Sequence, residues 1–163
     1  MSLDEDLLRQ LMVSFHEELT ERLAGINAGL LTLEQGPPEG QRAQILEELF
    51  RHVHSLKGAA RAVNLKSIEE LAHGMEDVFG AAKRGTIRLT STLFDLLYQG
   101  LGLVGAAMSA AEGGQGVSVG LDLPGYLVRL AETWRAQPVQ PPRIEEVPAP
   151  GRLPAPVEPV IQP

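Results

Sequence analysis

Aliphatic side chains recur at intervals of three and four residues through the first 137 residues, and this spacing most restricts how the chain can fold. Residues spaced in this way share one face of an α-helix, whereas a half-buried strand alternates apolar and polar residues. Only 4% of the residues are aromatic, so the expected core consists of Leu, Ala, Val and Ile, which suits helices better than sheets. The pattern predicts an all-α fold.

Short helix-breaking signals divide this region into five predicted helices. The first ends at the Gly-Pro-Pro of residues 36–38, the second covers about 39–63, and Lys-Arg-Gly at 83–85 closes the third. The fourth runs to about residue 111, and the fifth covers 124–136. Short connections between helices of this length predict an antiparallel four-helix bundle with an additional C-terminal packing helix.

Capping signals refine the predicted helix ends. Ser2 with Glu5, and Ser67 with Glu70, have the spacing of capping boxes, and Thr90 is a predicted N-cap. Asn64, which tolerates a left-handed backbone, is expected to end the second helix. The apolar stripe of the first helix is predicted to face the core and includes Leu7, Leu8, Leu11, Met12, Phe15, Leu19, Leu23, Ile26 and Leu30.

Composition changes sharply near residue 137. The segment 138–163 holds nine of the twelve prolines and lacks apolar periodicity, which predicts an extended linker to further domains after a helical domain of residues 1–137.

A net charge of -7 argues against nucleic acid or an anionic membrane as a partner. The acidic N-terminus, the absence of Cys and the lack of a long apolar window favour a soluble, cytoplasmic protein.

The turn between the second and third helices brings distant polar residues to the same level. His54 lies eleven residues before Leu65 and Glu76 eleven after it, so both are expected at the same distance from a turn centred there. His73 lies one helical turn from Glu76. We therefore expect a histidine, a carboxylate and a second histidine to meet across one helix pair.

On its own helix, His54 shares a polar face with Arg51, Lys57, Gly58 and Arg61. Lys57 is placed to neutralise phosphoryl oxygens on the imidazole, and Gly58 leaves room for a docking protein. A histidine nucleophile needs one free ring nitrogen, and a carboxylate that accepts the proton of the other fixes that tautomer. These residues predict phosphorylation of His54 at Nε2, with Nδ1–H held by Glu76.

The sequence His-Ser-Leu-Lys-Gly at 54–58 resembles the phosphorylation motif of histidine-phosphotransfer (HPt) domains, particularly the N-terminal domain of CheA-type chemotaxis kinases. The likeness extends to His73 and Glu76 in the next helix, to the Lys-Arg-Gly stop and to the proline-rich exit. Ala59 and Ala60 depart from the pattern, because relatives often have a further Gly there.

The resemblance implies a phosphorelay. A separate ATP-binding histidine kinase domain, from the same parent protein or a neighbouring subunit, would phosphorylate His54, and the group would pass to an aspartate of a response-regulator receiver domain. Arg51, Gly58 and Arg61 are the expected docking residues, with His73 in support. No ATP-binding region is recognisable in the chain, so we expect a substrate module without a cofactor and not a complete enzyme.

Other interpretations are weaker. His52 and His54 point about 200° apart on a helix and cannot share a metal, and Lys57 and Arg61 would repel a cation bound by His54, His73 and Glu76. Gly100, Gly102 and Gly105 form a GxGxxG pattern, but they follow a helical segment and not a strand, so close helix packing or a weakened helix is the expected meaning. A purely structural interaction module and a complete enzyme are the alternative functions.

Overall fold

A computed structural model describes residues 3–113 and 122–137 of the chain. These residues form five α-helices, as expected, and no strand occurs among them. The Ser2 capping position and the proline-rich segment 138–163 lie outside the described residues. The helices are α1 (Leu3–Glu34), α2 (Glu39–Ala62), α3 (Lys66–Lys83), α4 (Ser91–Glu112) and α5 (Leu123–Arg135).

The first four helices form a closed antiparallel bundle. α1 packs against α2, α2 against α3, α3 against α4, and α4 back against α1, while α5 lies on α3 and α4. This arrangement confirms the predicted four-helix bundle with a fifth packing helix. The core is aliphatic for the most part, and its largest fully buried side chains are Ile26, Leu30, Leu49, Leu56, Ile68, Leu71, Met75, Phe79, Leu93, Leu97, Tyr126 and Leu130.

Most helix ends follow from local sequence signals. The predicted stops after α1, α2 and α3 are present: Asn64 has the expected left-handed backbone, with a φ of 58°, and Gly36 and Gly85 have φ values of 67° and 71°. The side chain of Thr90 accepts a hydrogen bond from the backbone N–H of Leu93 at 3.4 Å and so caps α4.

The start of α3 differs from the expectation. The helix begins at Lys66 after Leu65, which makes no side-chain capping bond, so the predicted capping box of Ser67 and Glu70 is wrong. The reason lies in the short turn: Leu65 donates its N–H to the carbonyl of Ala60 at 2.9 Å, and its own carbonyl accepts from Ile68 and Glu69. The capping position therefore falls on an apolar residue that packs against the core.

The first turns of α1 also differ from the expectation. Leu7, Leu8 and Leu11 are 57%, 57% and 48% exposed, so these three residues of the predicted core stripe are not in the core. The bundle ends before it reaches them: the side chain of His16 meets Glu112, the last residue of α4, with 2.5 Å between Nδ1 and Oε1. α2 runs antiparallel to α1 and ends at a similar level. Three turns of α1 therefore project beyond the described part of the bundle.

α4 is long and apolar enough to cross a membrane by length and composition, although the sequence had suggested no such segment. Its apolar side chains have another explanation in the bundle. Leu93, Leu97 and Val104 are fully buried, and α4 packs against α1, α3 and α5. We therefore interpret α4 as a core helix.

Candidate functional site

The α2–α3 pair brings His54 and Glu76 together. Nδ1 of His54 and Oε1 of Glu76 are 2.9 Å apart, a hydrogen-bonding distance between residues 22 positions apart in the sequence. The short turn at Val63–Leu65 causes this match, because equal numbers of residues on both sides reach the same height in antiparallel helices. A carboxylate can only accept a hydrogen bond, so Nδ1 carries the proton in this contact.

Glu76 connects the histidine with a cation. Its second carboxylate oxygen, Oε2, forms an ion pair with the ammonium group of Lys57, one turn after His54 on α2. The Glu76 side chain is only 13% exposed. Burial tends to raise the pKa of this carboxyl, but the hydrogen bond from His54 and the charged contact with Lys57 outweigh it, so the pKa of Glu76 lies below its usual value. Glu76 is therefore an anion at neutral pH.

His54 is accessible although its partner is nearly buried. The histidine side chain is 62% exposed. Because Glu76 occupies Nδ1, the other ring nitrogen, Nε2, lies on the far side of the ring and keeps its lone pair. An exposed imidazole with one nitrogen held and the other free can act as a nucleophile toward an incoming electrophile.

Phe50 and Lys83 also join the site, although the sequence indicated no role in it for either residue. The ring of Phe50 stacks on the imidazole of His54, with centroids 6.1 Å apart and planes at 16°. Nζ of Lys83 lies 4.8 Å from the Phe50 ring centroid and 2.6 Å from Oε2 of Glu47. The only sequence signal for the contact between Phe50 and His54 was their spacing of four residues, which places them on one face of α2.

The three predicted docking residues surround His54 on the outer face of α2. A Cβ atom added at Gly58 would meet no atom within 4 Å, so the helix backbone is open to solvent there. Arg51 and Arg61 are 73% and 71% exposed. Arg51 is 3.5 Å from Glu47, and Arg61 is held to α3 by Glu69 at 2.6 Å.

His73 lies nearer to Asp77 than to the His54 pair. Its Nε2 is 3.9 Å from Oδ1 of Asp77, four residues later on α3, and its side chain is 64% exposed. With Lys57, Arg61 and others, it lines a surface cleft of about 140 Å³. His73 thus borders the site, and its recorded ionic contact is with Asp77.

His52 points away from this face, as the helical period requires. Its ring lies against Gly25 of α1, where an added Cβ would come within 2.8 Å of Nε2. Its Nδ1 is buried and finds no hydrogen-bond partner among the described residues. Burial lowers the pKa of His52 below its usual value, and the charge of Arg22 acts in the same direction. His52 is therefore a neutral packing residue.

Within residues 3–113 and 122–137, no three His, Asp or Glu side chains are arranged to hold a metal ion.

The three glycines of the GxGxxG pattern all lie inside α4. Gly100 contacts the hydroxyl of Tyr126 on α5, which donates to the carbonyl of Leu96 at 2.9 Å. Gly100 therefore permits close packing of α5, while Gly102 and Gly105 face open space.

Comparisons with known proteins point to one family. The sequence profile of the Hpt domain family matches residues 10–113. The chain is 31% identical over 125 residues to the chemotaxis protein CheA of Bacillus subtilis, covering 72% of this chain and 18% of that protein. It is 37% identical over 81 residues to the gliding motility regulatory protein of Myxococcus xanthus, covering 50% of this chain and 10% of that protein. The match thus spans less than a fifth of either relative.

Solved structures agree with the fold. The solution structure of the histidine phosphotransfer domain of CheA has a TM-score of 0.67 at 25% identity, covering 82% of this chain and 94% of that one. The phosphorylated P1 domain of CheA3 from R. sphaeroides, solved in complex with CheY6, has a TM-score of 0.64 at 22% identity, covering 76% and 94%. Residues 10–113 are more than half of the chain and include the whole α2–α3 pair. The chain therefore belongs to the Hpt domain family, the histidine-phosphotransfer modules.

Proposed function

We propose that His54 is the phosphoacceptor of this module. The observation that carries the proposal is the hydrogen bond of 2.9 Å between Nδ1 of His54 and Glu76, on a side chain that is 62% exposed. This contact leaves Nε2 as the only ring nitrogen with a lone pair available to phosphorus. None of the other histidines of the described residues combines a nearly buried anionic partner on Nδ1 with an accessible Nε2.

The proposed reaction is a direct transfer. Nε2 of His54 attacks the γ-phosphorus of ATP bound to a kinase domain, a nitrogen–phosphorus bond forms, and ADP leaves. The Nδ1 proton stays on the ring throughout, so the phosphorylated ring carries a positive charge that the Glu76 carboxylate stabilises. In the second step, a carboxylate oxygen of a receiver aspartate attacks the same phosphorus, and the imidazole leaves as a neutral group.

Lys57 has a proposed role in both steps. Its ammonium group is bound to Glu76 one turn from His54, within the reach of a flexible side chain from the phosphoryl oxygens. Phosphorylation would place new negative charge beside it. Lys57 then neutralises part of that charge in the phosphorylated state, while Glu76 continues to hold Nδ1.

The outer face of α2 is the proposed docking surface. Gly58 lets a partner approach the helix backbone next to His54, and Arg51 and Arg61 flank this opening with positive charge. His73 borders the same face through the surface cleft near Lys57. A receiver domain is the proposed partner, because a receiver carries an acidic phosphorylation site and the related P1 domain of CheA3 was solved in complex with CheY6.

We also propose that the parent protein is a cytoplasmic CheA-type histidine kinase in which a separate domain binds ATP. The relatives matched by this chain are several times longer than the matched segment, which supports a modular parent. By this proposal the chain alone accepts and donates phosphoryl groups and does not hydrolyse ATP. The helical setting of Gly100, Gly102 and Gly105 supports this, since a phosphate-binding glycine loop joins a strand to a helix.

Phosphorylation of purified protein tests the proposal. The chain is incubated with ATP, magnesium and the ATP-binding core of a CheA-type kinase encoded with it, and intact mass is measured. The wild type should gain one phosphoryl group in an acid-labile, base-stable form. His54→Gln should gain none, whereas His52→Gln, two residues away on the opposite face, should be labelled as the wild type is.

Two results would contradict the proposal. Equal labelling of His54→Gln and wild type would move the acceptor to another residue. In the second result, the kinase core binds the chain but phosphorylates neither the wild type nor His54→Gln, while it phosphorylates a known Hpt domain in parallel. That result would favour a purely structural interaction module.

A further inference from the structure

An aromatic ring is stacked, in an offset arrangement, beside the His54 imidazole. Phe50, one turn earlier on α2, lies nearly parallel to the imidazole, with 6.1 Å between centroids and 16° between planes. Aromatic rings at such a distance prefer this offset, parallel arrangement. The contact lies within one helix and needs no bound partner.

Phe50 is itself held in place by α3. A Cβ atom added at the buried Gly80 would lie 3.4 Å from Cε2 of Phe50, so the glycine lets this ring pack close to the α3 backbone. Nζ of Lys83 lies 4.8 Å from the ring centroid, at a distance typical of a cation–π contact, and Glu47 holds that ammonium at 2.6 Å. Residues of two helices thus define the position of this ring.

The hydrogen bond to Glu76 alone does not define the orientation of the imidazole ring. One bond fixes the position of Nδ1 but leaves the ring free to tilt around it, and a tilted ring points its Nε2 lone pair away from an incoming phosphorus. In-line attack requires that this lone pair be aligned with the bond that breaks. A flat ring stacked beside the imidazole restricts this tilt.

We propose that Phe50 is a positioning residue for phosphoryl transfer, whose ring sets the tilt of the His54 imidazole and so aims Nε2 outward. The inference rests on the proposed role of His54. Phe50 acts through the histidine and does not touch the phosphoryl group. Its loss should lower the rate of the chemical step and leave binding of the kinase domain unchanged.

The test compares three substitutions of Phe50. Phe50→Leu and Phe50→Met keep apolar volume but have no flat face, whereas Phe50→Tyr keeps the flat face. The matched control is Phe94→Leu, which removes the same ring from the core on α4, a helix that does not pack against α2 within the described residues. All variants are assayed below their unfolding temperatures, so that only folded protein is compared.

Two measurements are made on each variant. Residual dipolar couplings of the imidazole C–H bonds in the unphosphorylated protein report how narrowly the orientation of the ring is defined, and kinetics with the kinase core separate kcat from KM. In Phe50→Leu and Phe50→Met, we expect motionally averaged, smaller couplings and a kcat lowered about three- to tenfold with an unchanged KM. Phe50→Tyr should restore both values, and Phe94→Leu should alter neither.

Wild-type couplings and kcat in both Phe50→Leu and Phe50→Met would overturn the inference, as would an equal loss in Phe94→Leu or no recovery in Phe50→Tyr. The coupling measurement needs no phosphorylation. It therefore still tests the position of the imidazole if the wild type proves not to be phosphorylated, a result that would instead contradict the role proposed for His54.

Discussion

His52 and His54 leave the same helix two residues apart and enter opposite environments. His52 lies in the α1–α2 interface, where its ring packs against Gly25 and its Nδ1 has no hydrogen-bond partner among the described residues. His54 lies at the α2–α3 interface, where Glu76 holds its Nδ1 and its ring remains 62% exposed. The same side chain is a packing unit in one interface and a candidate nucleophile in the other.

The two interfaces differ in what crosses them. Between α1 and α2, glycines at positions 25 and 29 let the helices approach closely around apolar side chains. Between α2 and α3, ion pairs and hydrogen bonds follow one another along the outer edge: Lys83–Glu47, His54–Glu76, Lys57–Glu76 and Arg61–Glu69. Close packing gives the first interface stability, whereas charged contacts at the rim of the second orient one exposed ring. The difference predicts distinct responses to substitution.

The largest expected effect concerns Glu76. Removal of its carboxylate in Glu76→Ala takes away a hydrogen bond to a charged group, which contributes roughly 1.5–3 kcal/mol, so phosphorylation of His54 should slow about tenfold to a hundredfold. Single-turnover kinetics with the kinase core measure the rate. Glu69→Ala is the matched control, since Glu69 crosses the same interface to Arg61 without touching His54. If Glu76→Ala and Glu69→Ala were phosphorylated at equal rates, Glu76 would have no special role in the reaction of His54.

The next largest expected effect concerns the free energy of unfolding when either Gly29 or Gly58 is replaced. A Cβ at Gly29 would come within 2.7 Å of Cδ2 and 3.1 Å of Cγ of Leu49, a fully buried residue. Gly29→Ala should therefore destabilise the fold by about 1–3 kcal/mol. Gly58→Ala meets no atom within 4 Å, so the better helix propensity of Ala should stabilise the protein by up to about 1 kcal/mol. Urea denaturation measures the free energy of unfolding of both variants. A change of the same sign in Gly29→Ala and Gly58→Ala would contradict the predicted difference between the two glycines.

A smaller effect concerns pH and His52. Its pKa is lowered in the folded protein from the usual value of 6.5, so the unfolded chain binds the proton more readily. The stability that depends on neutral His52 is complete above pH 6.5 and decreases as the pH falls below it. Between pH 7.5 and 5, His52→Gln should lose less free energy of unfolding than the wild type. Identical pH profiles would show that His52 is not buried as described.

The smallest expected effect concerns the part of α1 that lies in neither interface. Leu8 is 57% exposed beyond the end of the bundle, so Leu8→Ala should change the free energy of unfolding by no more than about 0.5 kcal/mol. Leu30→Ala, in the fully buried part of the same helix, should cost about 2–5 kcal/mol. Thermal or urea unfolding measures both. A large loss in Leu8→Ala would indicate that a contact in solution covers this face.

Local signals in the sequence predicted the helices and the level of the site. The stops at Gly36, Asn64 and Gly85 follow from left-handed backbone, which few residues adopt, and Thr90 caps α4 through a bond three residues away. The pairing of His54 with Glu76 was also predictable. A three-residue turn leaves antiparallel helices little freedom, so counting residues on each side gives their relative height.

The details of side-chain packing between helices could not be predicted in this way. Leu7 and Leu11 continue the periodic stripe of α1, but they are exposed because the neighbouring helices end before them. The packing of Phe50 beside Gly80 and under Lys83 depends on how α2 and α3 approach each other, and the meaning of Gly100 depends on Tyr126 of α5.

Helix periodicity and chain-breaking residues are local properties, so the amino-acid order was enough to specify the five helices and to place His54 level with Glu76. Burial, in contrast, depends on which surfaces meet and where each neighbour ends. For that reason the bundle was needed to show that His52 packs against α1, and to reveal Phe50 beside His54.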